Sequence, residues 1–131
     1  MHLKIITHEK VVFDNDVDEI YTRGIDGEFG ILKSHEPVTC PLGIGVTRIN
    51  MNGKTEHYTT MGGIFQFKDE NAIILTDSSE NSGDIDVERA KLAKERAELR
   101  LAEKKADTDV KRAEAALARA LARIKASIRE V

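Results

Sequence analysis

The chain of 131 residues contains one cysteine, two prolines, no tryptophan and few other aromatic residues. A single cysteine, Cys40, excludes an internal disulfide and is typical of a reducing cytosol. No apolar run is long enough to span a bilayer, and the residues from Met1 to Lys4 do not begin a signal peptide. We therefore expect a small globular unit, neither membrane-spanning nor stabilised by disulfides.

Motifs that mark the common kinds of catalytic site are also missing. The sequence has neither a phosphate-binding Gly-x-x-x-x-Gly-Lys-Ser/Thr motif nor a Gly-x-Gly-x-x-Gly motif. Its four histidines lack the spacing of a zinc site, and the alternating Asp14, Asp16 and Asp18 lack the glycine and closing glutamate of a calcium loop. We therefore expect no metal site and no catalytic residues.

Charge is divided unevenly along the chain. Residues 1–83 carry seven basic and thirteen acidic side chains, whereas residues 84–131 carry thirteen basic and ten acidic ones. An acidic front and a basic tail can attract each other or bind separate partners. Nucleic acid is not an expected partner, because the basic residues of the tail alternate with acidic ones and the tail has no aromatic residue.

The first part of the chain has the pattern of a β-domain. Up to about residue 77, short runs rich in β-branched and aromatic residues alternate with turn residues. The predicted strands are 3–7, 11–13, 17–23, 29–32, 44–51, 55–61, 64–67 and 72–76. Asn52-Gly53 predicts a two-residue hairpin turn that needs positive φ. Many short strands at this spacing predict an antiparallel β-sandwich or a flattened barrel.

The tail from Asp84 to Val131 has the composition of helix. It contains no glycine and no proline and is rich in alanine, leucine, lysine, arginine and glutamate. Turn and cap residues interrupt it only at 104–109, which predicts helices at roughly 86–105 and 109–129, the first capped by Ser82 or Asp84. The fold class is therefore α+β. A β-sandwich domain with a short linker spans 1–83, and an antiparallel two-helix hairpin spans 84–131.

Arginines lie beside apolar stripes on both predicted helices. The stripes are Ile85, Leu92 and Leu99 on the first helix and Val110, Leu117, Leu121, Ile124 and Ile128 on the second; the arginines are Arg89, Arg96 and Arg100, then Arg112, Arg119 and Arg123. A buried unpaired charge is very costly, so these arginines need anionic partners. Two interpretations stay open. In one, Asp86, Glu88, Glu103 and Glu114 form salt bridges with them; in the other they form a polyanion site, for which phosphate is the natural ligand.

Three stretches, taken in order, resemble the epsilon subunit of F-type ATP synthase. They are Gly27-Glu28-Phe29-Gly30-Ile31-Leu32 followed by His35 and Pro37, then Met61-Gly62-Gly63-Ile64, then Ile85-Asp86-Val87-Glu88-Arg89-Ala90. The resemblance covers essentially the whole chain. One departure is Lys33-Ser34, which stands where the family commonly has Pro-Gly before the histidine, and another is Phe29 at a usual leucine.

The resemblance implies a non-catalytic subunit of the rotary ATP synthase, built from a β-sandwich and two C-terminal helices. Such a subunit binds gamma in the central stalk and turns with the c-ring. The implied partner interface comprises Glu28, Phe29 and Gly30, whose loop faces the c-ring, and His35, which helps to hold gamma. The implied location is the cytoplasmic face of a bacterial membrane, peripheral through the complex, with the thylakoid stromal face as the alternative.

The hairpin is the regulatory element of that family. It lies on the β-domain, or extends along gamma towards the alpha and beta subunits and blocks ATP hydrolysis. Much of its packing surface here is alanine, so we expect shallow docking that can be exchanged for another packing. The main alternative function is a stand-alone ATP-sensing module. A small phosphohydrolase is a more distant one, because arginines alone provide no base, metal or nucleophile.

Some bacterial members of the family also bind ATP at the hairpin, as a regulatory ligand and not as a required cofactor. Their Ile-Asp-x-x-Arg-Ala motif stands here as Ile85, Asp86, Arg89 and Ala90, and the positions Glu80, Arg96, Arg119 and Arg123 also match that site. In the implied roles, Arg119 and Arg123 contact phosphates while Arg89 and Arg96 add positive charge. Glu80, Asp86 and the backbone near Ile85 lie near the adenine.

Overall fold

The structure, a computed structural model, describes residues 1–103 and 105–129. Lys104, where we expected the break between the helices to begin, lies outside the described residues, as do Glu130 and Val131. The strands are β1 (His2–Ile6), β2 (Val11–Asp16), β3 (Glu19–Gly24), β4 (Gly27–Leu32), β5 (Val38–Met51), β6 (Lys54–Lys68) and β7 (Asn71–Leu75). A 3-10 turn (Ser82–Asp84) then leads to α1 (Val87–Glu103) and α2 (Val110–Ser127). The predicted α+β class, a sandwich followed by a helical hairpin, is confirmed.

All strands belong to one hydrogen-bonded ladder, in the order β2-β1-β7-β6-β5-β3-β4. The second half of β6 pairs with β7 while the second half of β5 pairs with β3, so the long β5–β6 hairpin belongs to both layers of the sandwich. Neighbouring strands are antiparallel except for β1 and β7, which are parallel. Local sequence patterns do not encode which distant strands meet, and this parallel pair was not predicted.

Large side chains fill the space between the two layers. The most completely buried are Leu3, Ile5, Ile20, Ile31, Ile49, Phe65, Phe67 and Ile74. Three threonines also lie inside, where the Thr47 hydroxyl hydrogen-bonds those of Thr22 at 2.8 Å and Thr60 at 2.5 Å. Because these buried hydroxyls satisfy one another, the polar cluster does not weaken the apolar core around it.

Glycines account for two features of the β5–β6–β7 region. Asn52 and Gly53 both have positive φ, 50° and 75°, so the predicted hairpin turn is confirmed. The two strands predicted on either side of Gly62-Gly63 are a single strand, β6, and both glycines within it have positive φ. A Cβ on Gly63 would lie 1.9 Å from the carbonyl oxygen of Leu75, so only glycine fits there.

The start of β5 was also placed wrongly, since the strand begins at Val38 and not at residue 44. The segment lacks a continuous run of β-branched and aromatic residues, because it contains Pro41, Gly43 and Gly45. Pro41 nevertheless lies within the ladder opposite Ile64, and its carbonyl oxygen accepts a hydrogen bond from the backbone of Ile25.

The hairpin lies on the outer face of β5 and β6 and buries alanine in place of leucine. α2 packs against α1 and also against β5 and β6 of the sandwich, whereas α1 packs chiefly against α2. The buried residues of the helices are Ala90, Ala97, Ala113, Ala120, Ala122 and Ala126. Five of the eight residues of the predicted stripes are exposed, namely Leu92, Leu99, Val110, Leu121 and Ile128, whereas Leu117 and Ile124 are half-buried and Ile85 is buried. Most of the large apolar side chains therefore face solvent, because the small side chains let the helix backbones approach their neighbours closely.

The N-terminal cap of the first helix differs from the one predicted. Asp86, and not Ser82 or Asp84, caps α1, since its carboxylate accepts a hydrogen bond from the backbone N–H of Arg89 at 3.1 Å. Ile85 is extended and buried against Val46 and Ala126, so helical geometry begins only after it. Asp109 caps α2 in the same way, by accepting from the Arg112 N–H at 3.0 Å.

Candidate functional site

A cavity of about 450 Å³ lies between the linker that follows β7 and the two helices. It is lined by Glu80, Asp84, Asp86, Arg89, Ala90, Ala93, Arg96 and Arg123. We call this space the hairpin cavity. Its lining includes six of the eight residues assigned to a nucleotide site from the sequence, contributed by the linker, α1 and α2. The fold thus brings together groups that are more than forty positions apart in the chain.

The remaining two predicted residues lie beside the hairpin cavity. Ile85 points towards the sandwich, where it packs with Val46 and Ala126, although its backbone stands between two residues that line the cavity. Arg119 is half-buried on α2, one turn before Arg123, and does not line the cavity. Residues four apart share a helix face, so Arg119 lies on the same side of α2 as Arg123. A modest change in the conformation of its own side chain would bring Arg119 to the other arginines.

One ion pair crosses the hairpin cavity. The Arg123 Nε donates a hydrogen bond to Glu80 Oε1 at 2.8 Å, and about a third of each side chain is exposed. This pair joins α2 to the linker and was not among the predicted salt bridges. A half-exposed pair of this kind adds little stability, because solvent screens it.

The predicted partners of the other arginines are wrong. The Asp86 carboxylate caps α1, while Glu88 pairs with Lys91 at 3.9 Å and Glu103 with Lys105 at 3.4 Å. Nearby lysines and backbone N–H groups compete with arginines for these carboxylates, and the i,i+3 spacing of Glu88 and Lys91 on α1 favours their pairing. Within the residues that the structure describes, no ion pair joins Arg89, Arg96, Arg119 or Glu114 to an oppositely charged side chain.

The arrangement suits binding of an anion more than catalysis. Arg89, Arg96 and Arg123 carry guanidinium groups around one space, whose lining also includes the carboxylates of Glu80 and Asp86. Guanidinium donors match phosphate oxygens, and carboxylates can accept hydrogen bonds from an amino group. Among residues 1–103 and 105–129, no group of three histidine, cysteine or acidic side chains is placed to hold a metal ion.

A second cavity, of about 390 Å³, lies between the β3–β4 hairpin and the start of β5. All four residues of the predicted partner interface line it, Glu28, Phe29, Gly30 and His35. We call it the sandwich cavity. It adjoins β4, which is the terminal strand of the ladder and has an unpaired edge. Partner residues can therefore reach it from outside.

Phe29 and Gly30, the two central residues of β4, each have a packing role. Phe29 points inwards and meets Phe65 edge to face, with ring centroids 5.4 Å apart. Gly30 lies beneath the ring of Tyr21, and a Cβ there would come within 2.7 Å of the Tyr21 Cε1 atom. Glycine at this position is required by the aromatic ring beside it, whereas Glu28 is exposed and available to a partner.

His35 is exposed at the rim of the sandwich cavity. Its Nδ1 lies 2.6 Å from the carbonyl oxygen of Glu36, and its ring stands perpendicular to Phe67. Ser34, which precedes it, has a φ of 67°, a conformation that glycine adopts most easily. Serine therefore adopts here a left-handed conformation that glycine would adopt with less strain.

Among the residues of the sandwich cavity that sequence reasoning did not assign, Ile25 and Cys40 are chemically the most notable. Ile25 is 64% exposed at the tip of the β3–β4 hairpin, and Cys40 is half-buried in the lining. Burial raises the pKa of the Cys40 thiol, so it behaves as an apolar group. A large apolar residue beside the Asp26-Gly27 turn was the available signal, because such tips are usually polar.

No helix in the described part of the chain is both long and apolar enough to cross a membrane. Comparison with family models shows two matches. Residues 1–82 match "ATP synthase, Delta/Epsilon chain, beta-sandwich domain", and residues 84–127 match "ATP synthase, Delta/Epsilon chain, long alpha-helix domain".

Several curated relatives resemble the chain over nearly its whole length. It is 45% identical to the ATP synthase epsilon chain of Nitratidesulfovibrio vulgaris over 125 residues, which cover 95% of this chain and 93% of that one. It is also 45% identical to the epsilon chain of Desulforamulus reducens, with 95% of each covered, and 44% identical to that of Brevibacillus brevis, with 97% of each covered.

Solved structures show the same fold. A chain in the cryo-EM structure of the Euglena gracilis mitochondrial ATP synthase, OSCP/F1/c-ring, matches with a TM-score of 0.83 at 23% identity, covering 96% of this chain and 79% of that one. A chain from the central stalk/c-ring of the Tetrahymena thermophila enzyme matches with a TM-score of 0.66 at 11% identity, covering 96% and 95%.

Proposed function

The chain belongs to the family of ATP synthase epsilon chains, and we propose that it couples gamma to the c-ring in the central stalk of an F-type ATP synthase. It has no catalytic role of its own. It is held at the cytoplasmic face of a bacterial membrane, peripherally, through gamma and the c-ring. The observation that carries this proposal is the grouping of Glu28, Phe29, Gly30 and His35 around one cavity at an open edge of the sandwich.

The sandwich cavity has the properties of a protein interface. Its lining combines apolar side chains with the acidic Asp26 and Glu28, and it has an exposed isoleucine, Ile25, at its rim. An apolar centre bordered by charged groups is the usual anatomy of a specific contact. The β-sandwich behind it is rigid, because Phe29 and Gly30 are fixed by aromatic neighbours.

The test compares two exposed apolar residues at different places on the sandwich. Ile25→Asp places a charge at the sandwich cavity, whereas Val11→Asp places one on β2, and the two residues are similarly exposed, at 64% and 54%. We expect Ile25→Asp to reduce co-purification with gamma at least tenfold and to uncouple ATP hydrolysis from ion transport. Val11→Asp should retain both. Equal effects of the two variants would contradict the assignment of this cavity.

We further propose that the hairpin inhibits ATP hydrolysis when it leaves the sandwich and extends along gamma to the alpha and beta subunits. Its buried residues are alanines, so detachment exposes little apolar surface. Leu92, Leu99 and Leu121 are already exposed in the docked form and are available for a different packing. A small difference between two packings is what a conformational switch requires.

ATP is proposed as the regulatory ligand of the docked hairpin. The support is the hairpin cavity, in which Arg89 and Arg96 lack carboxylate partners among the described residues and Arg123 is held in place by Glu80. Its volume lies in the range of small-molecule sites. A ligand that binds only the docked form stabilises it by about 2.7 kcal/mol at a hundred times its Kd. That is enough to shift a nearly balanced equilibrium.

Calorimetric titration of the isolated chain with MgATP tests this proposal. We expect binding at micromolar to low-millimolar concentration, lost in Arg123→Ala and weakened less in Arg119→Ala, because Arg119 does not line the cavity. Lys125→Ala is the matched control, since it removes a positive charge from the exposed side of the same helix. The absence of binding up to several millimolar would remove ATP from the mechanism and leave the coupling role unaffected.

The alternative function is a stand-alone ATP-sensing module, favoured by the same cavity. It requires tight ATP binding by the isolated chain together with no stoichiometric gamma partner. Purification of the native complex distinguishes the two, because a rotor subunit remains bound to gamma through all steps.

A further inference from the structure

A buried histidine lies under the end of the helical hairpin. His57 is on the outer face of β6 and is only 5% exposed. Within the described residues, neither of its ring nitrogens has a hydrogen-bond partner. A buried polar group without a partner is unfavourable, and most proteins avoid it. It therefore calls for a physical explanation.

The groups around His57 come from three elements. Directly across the ladder on β5 is Arg48, whose guanidinium stacks on Tyr21 at 4.3 Å and whose Nε is itself buried without a partner. From the end of α2, Arg129 adds a second positive charge. The neighbours of His57 on the same face of β6 are Thr55 and Thr59, which carry no charge.

Acidic groups near this region are directed elsewhere. Glu19, on the same face of β3, accepts a hydrogen bond from the Tyr21 hydroxyl. Glu56 points to the other face of β6 and is within hydrogen-bond distance of the Tyr58 hydroxyl, and Asp84 also lies near Tyr58. A protonated His57 would therefore face two arginines with no compensating carboxylate among the described residues.

The cover over His57 is supplied by the hairpin. Ala126 of α2 packs on Val46, and Val46 pairs with Thr59 on β6. The next outward-facing position along β6 is His57, and Arg129, just after the end of α2, is close enough for its charge to act on the buried ring. When α2 is docked the imidazole is cut off from water, and when α2 leaves the imidazole is hydrated.

We propose that His57 is a pH-sensitive latch, whose protonation releases the end of α2 from the sandwich and so favours the extended, inhibitory hairpin. This inference rests on the proposed function, because it needs a hairpin that detaches. It assigns to this chain a response to acidification of the compartment that is independent of ATP.

The sign of the effect follows from the surroundings of the ring. Burial lowers the pKa of His57, and the charges of Arg48 and then Arg129 lower it further. Detachment of α2 removes the burial and Arg129 but leaves Arg48 in place, so the pKa of the ring rises towards the ordinary value of about 6.5. Docking is therefore independent of pH well above 6.5 and weakens as the pH falls below it, by up to about tenfold per pH unit, until the pH reaches the docked pKa.

The test uses the full chain and amide hydrogen exchange of α2, corrected for the intrinsic pH dependence of exchange, from pH 5 to 8. In the wild type we expect the opening constant for Ala120–Ala126 to rise by up to tenfold per unit below pH 6.5. His57→Gln, which cannot titrate, should give a flat profile. The matched control His8→Gln removes an exposed histidine and should keep the wild-type slope.

A second measurement does not depend on the folding of His57→Gln. The pKa of the His57 ring is followed by NMR in the wild type and in Ala126→Asp, which introduces a charge at a fully buried docking position. We expect a value below 6.5 in the wild type and a rise towards 6.5 in the variant. A flat opening constant in the wild type, or an unchanged pKa in a detached variant, would overturn the latch.

These measurements distinguish two hypotheses, that His57 makes docking sensitive to pH and that the hairpin detaches at all. If α2 opens in response to other changes but not to pH, the latch is excluded and the hairpin switch remains. If α2 stays protected at every pH, and in Ala126→Asp as well, the hairpin does not detach, and both the latch and the regulatory part of the proposed function are overturned.

Discussion

The β-sandwich and the helical hairpin bury their residues by different means. In the sandwich, phenylalanine, isoleucine and leucine side chains such as Phe65, Ile74 and Leu3 are completely enclosed between two layers. In the hairpin, the enclosed residues are alanines, while Leu92 and Leu99 are 55% and 60% exposed. Each buried methylene contributes about 0.8 kcal/mol, so an alanine interface is worth much less than a leucine interface of the same length.

In the proposed function, this difference separates a fixed element from a movable one. The edge proposed to face gamma and the c-ring can transmit torque only if it is rigid, and fully enclosed side chains lie behind it. The hairpin is held by small side chains, by a half-exposed pair between Arg123 and Glu80, and by a surface that includes the unsatisfied His57. Low docking stability at this boundary is what allows a modest signal to change its position.

The largest expected effect is on the sandwich core. Phe65→Ala should lower the free energy of unfolding by about 3–5 kcal/mol, because it leaves a cavity in a fully packed region. Urea unfolding followed by circular dichroism measures it. The matched variant Leu99→Ala removes a large apolar side chain from the hairpin and should change stability by about 0.5 kcal/mol or less. Comparable losses would show that the two regions do not differ as argued.

The next effect is on docking. Ala126→Asp places a carboxylate at a position with no exposure, between Val46 and Ile85. We expect it to weaken docking by about 1–3 kcal/mol. Amide exchange should accelerate in α2 while the protection of β5 and β6 is retained. Leu121→Asp, on the exposed side of the same helix, is the control and should leave exchange unchanged. Loss of protection throughout the sandwich would mean that the hairpin and sandwich unfold as one unit.

A smaller effect is expected at the cap of α2. Asp109→Ala removes the carboxylate that accepts from the Arg112 N–H and should destabilise the helix by about 1 kcal/mol. Amide exchange in the first turn of α2 measures this change. Asp107→Ala, in the turn just before, is the control. If amide exchange in the sandwich core also accelerated in Asp109→Ala, the hairpin and the sandwich would not be independent in stability.

Local chemistry is the part of this structure that the sequence predicted well. Asn52-Gly53 specifies its turn because only residues that tolerate positive φ fit it, and helix composition defines the hairpin to within about two residues. Glu28 and His35 were assigned to a partner interface by a resemblance, as contacts of the c-ring and of gamma, and both line the sandwich cavity. The proposed contacts with gamma and the c-ring remain predictions.

Features that depend on which surfaces meet were not predictable. Helical periodicity shows an apolar stripe on α2 but not which face of the helix meets the sandwich, and Val110, Leu121 and Ile128 of that stripe face solvent. Salt-bridge partners were also wrong, because Glu80 lies in the linker, far from Arg123 in the chain. The isolation of His57 depends on β5, β6 and α2 together, and no local pattern indicates it.

The smallest expected effect sharpens the comparison through a second histidine. His2 pairs with Asp14 at 2.5 Å and with Asp16 at 2.7 Å on the neighbouring strand β2. Hydrogen bonds to Asp16 and then Asp14 raise its pKa, the opposite of the shift at His57. The stabilisation is therefore fully present below the unfolded-state pKa of about 6.5 and is lost as the pH rises through the raised value.

Urea unfolding of wild type and His2→Gln at pH 6 and pH 9 measures this contribution, with His8→Gln as the exposed control. The free energy of unfolding should be higher for the wild type than for His2→Gln at pH 6, and this difference should shrink by pH 9. A difference in the free energy of unfolding that grew with pH would contradict the attribution to His2. The effect should be small because the cluster is exposed and screened by solvent. Mild acid then strengthens the edge of the sandwich while it loosens the hairpin, so pH acts on the two regions in opposite directions.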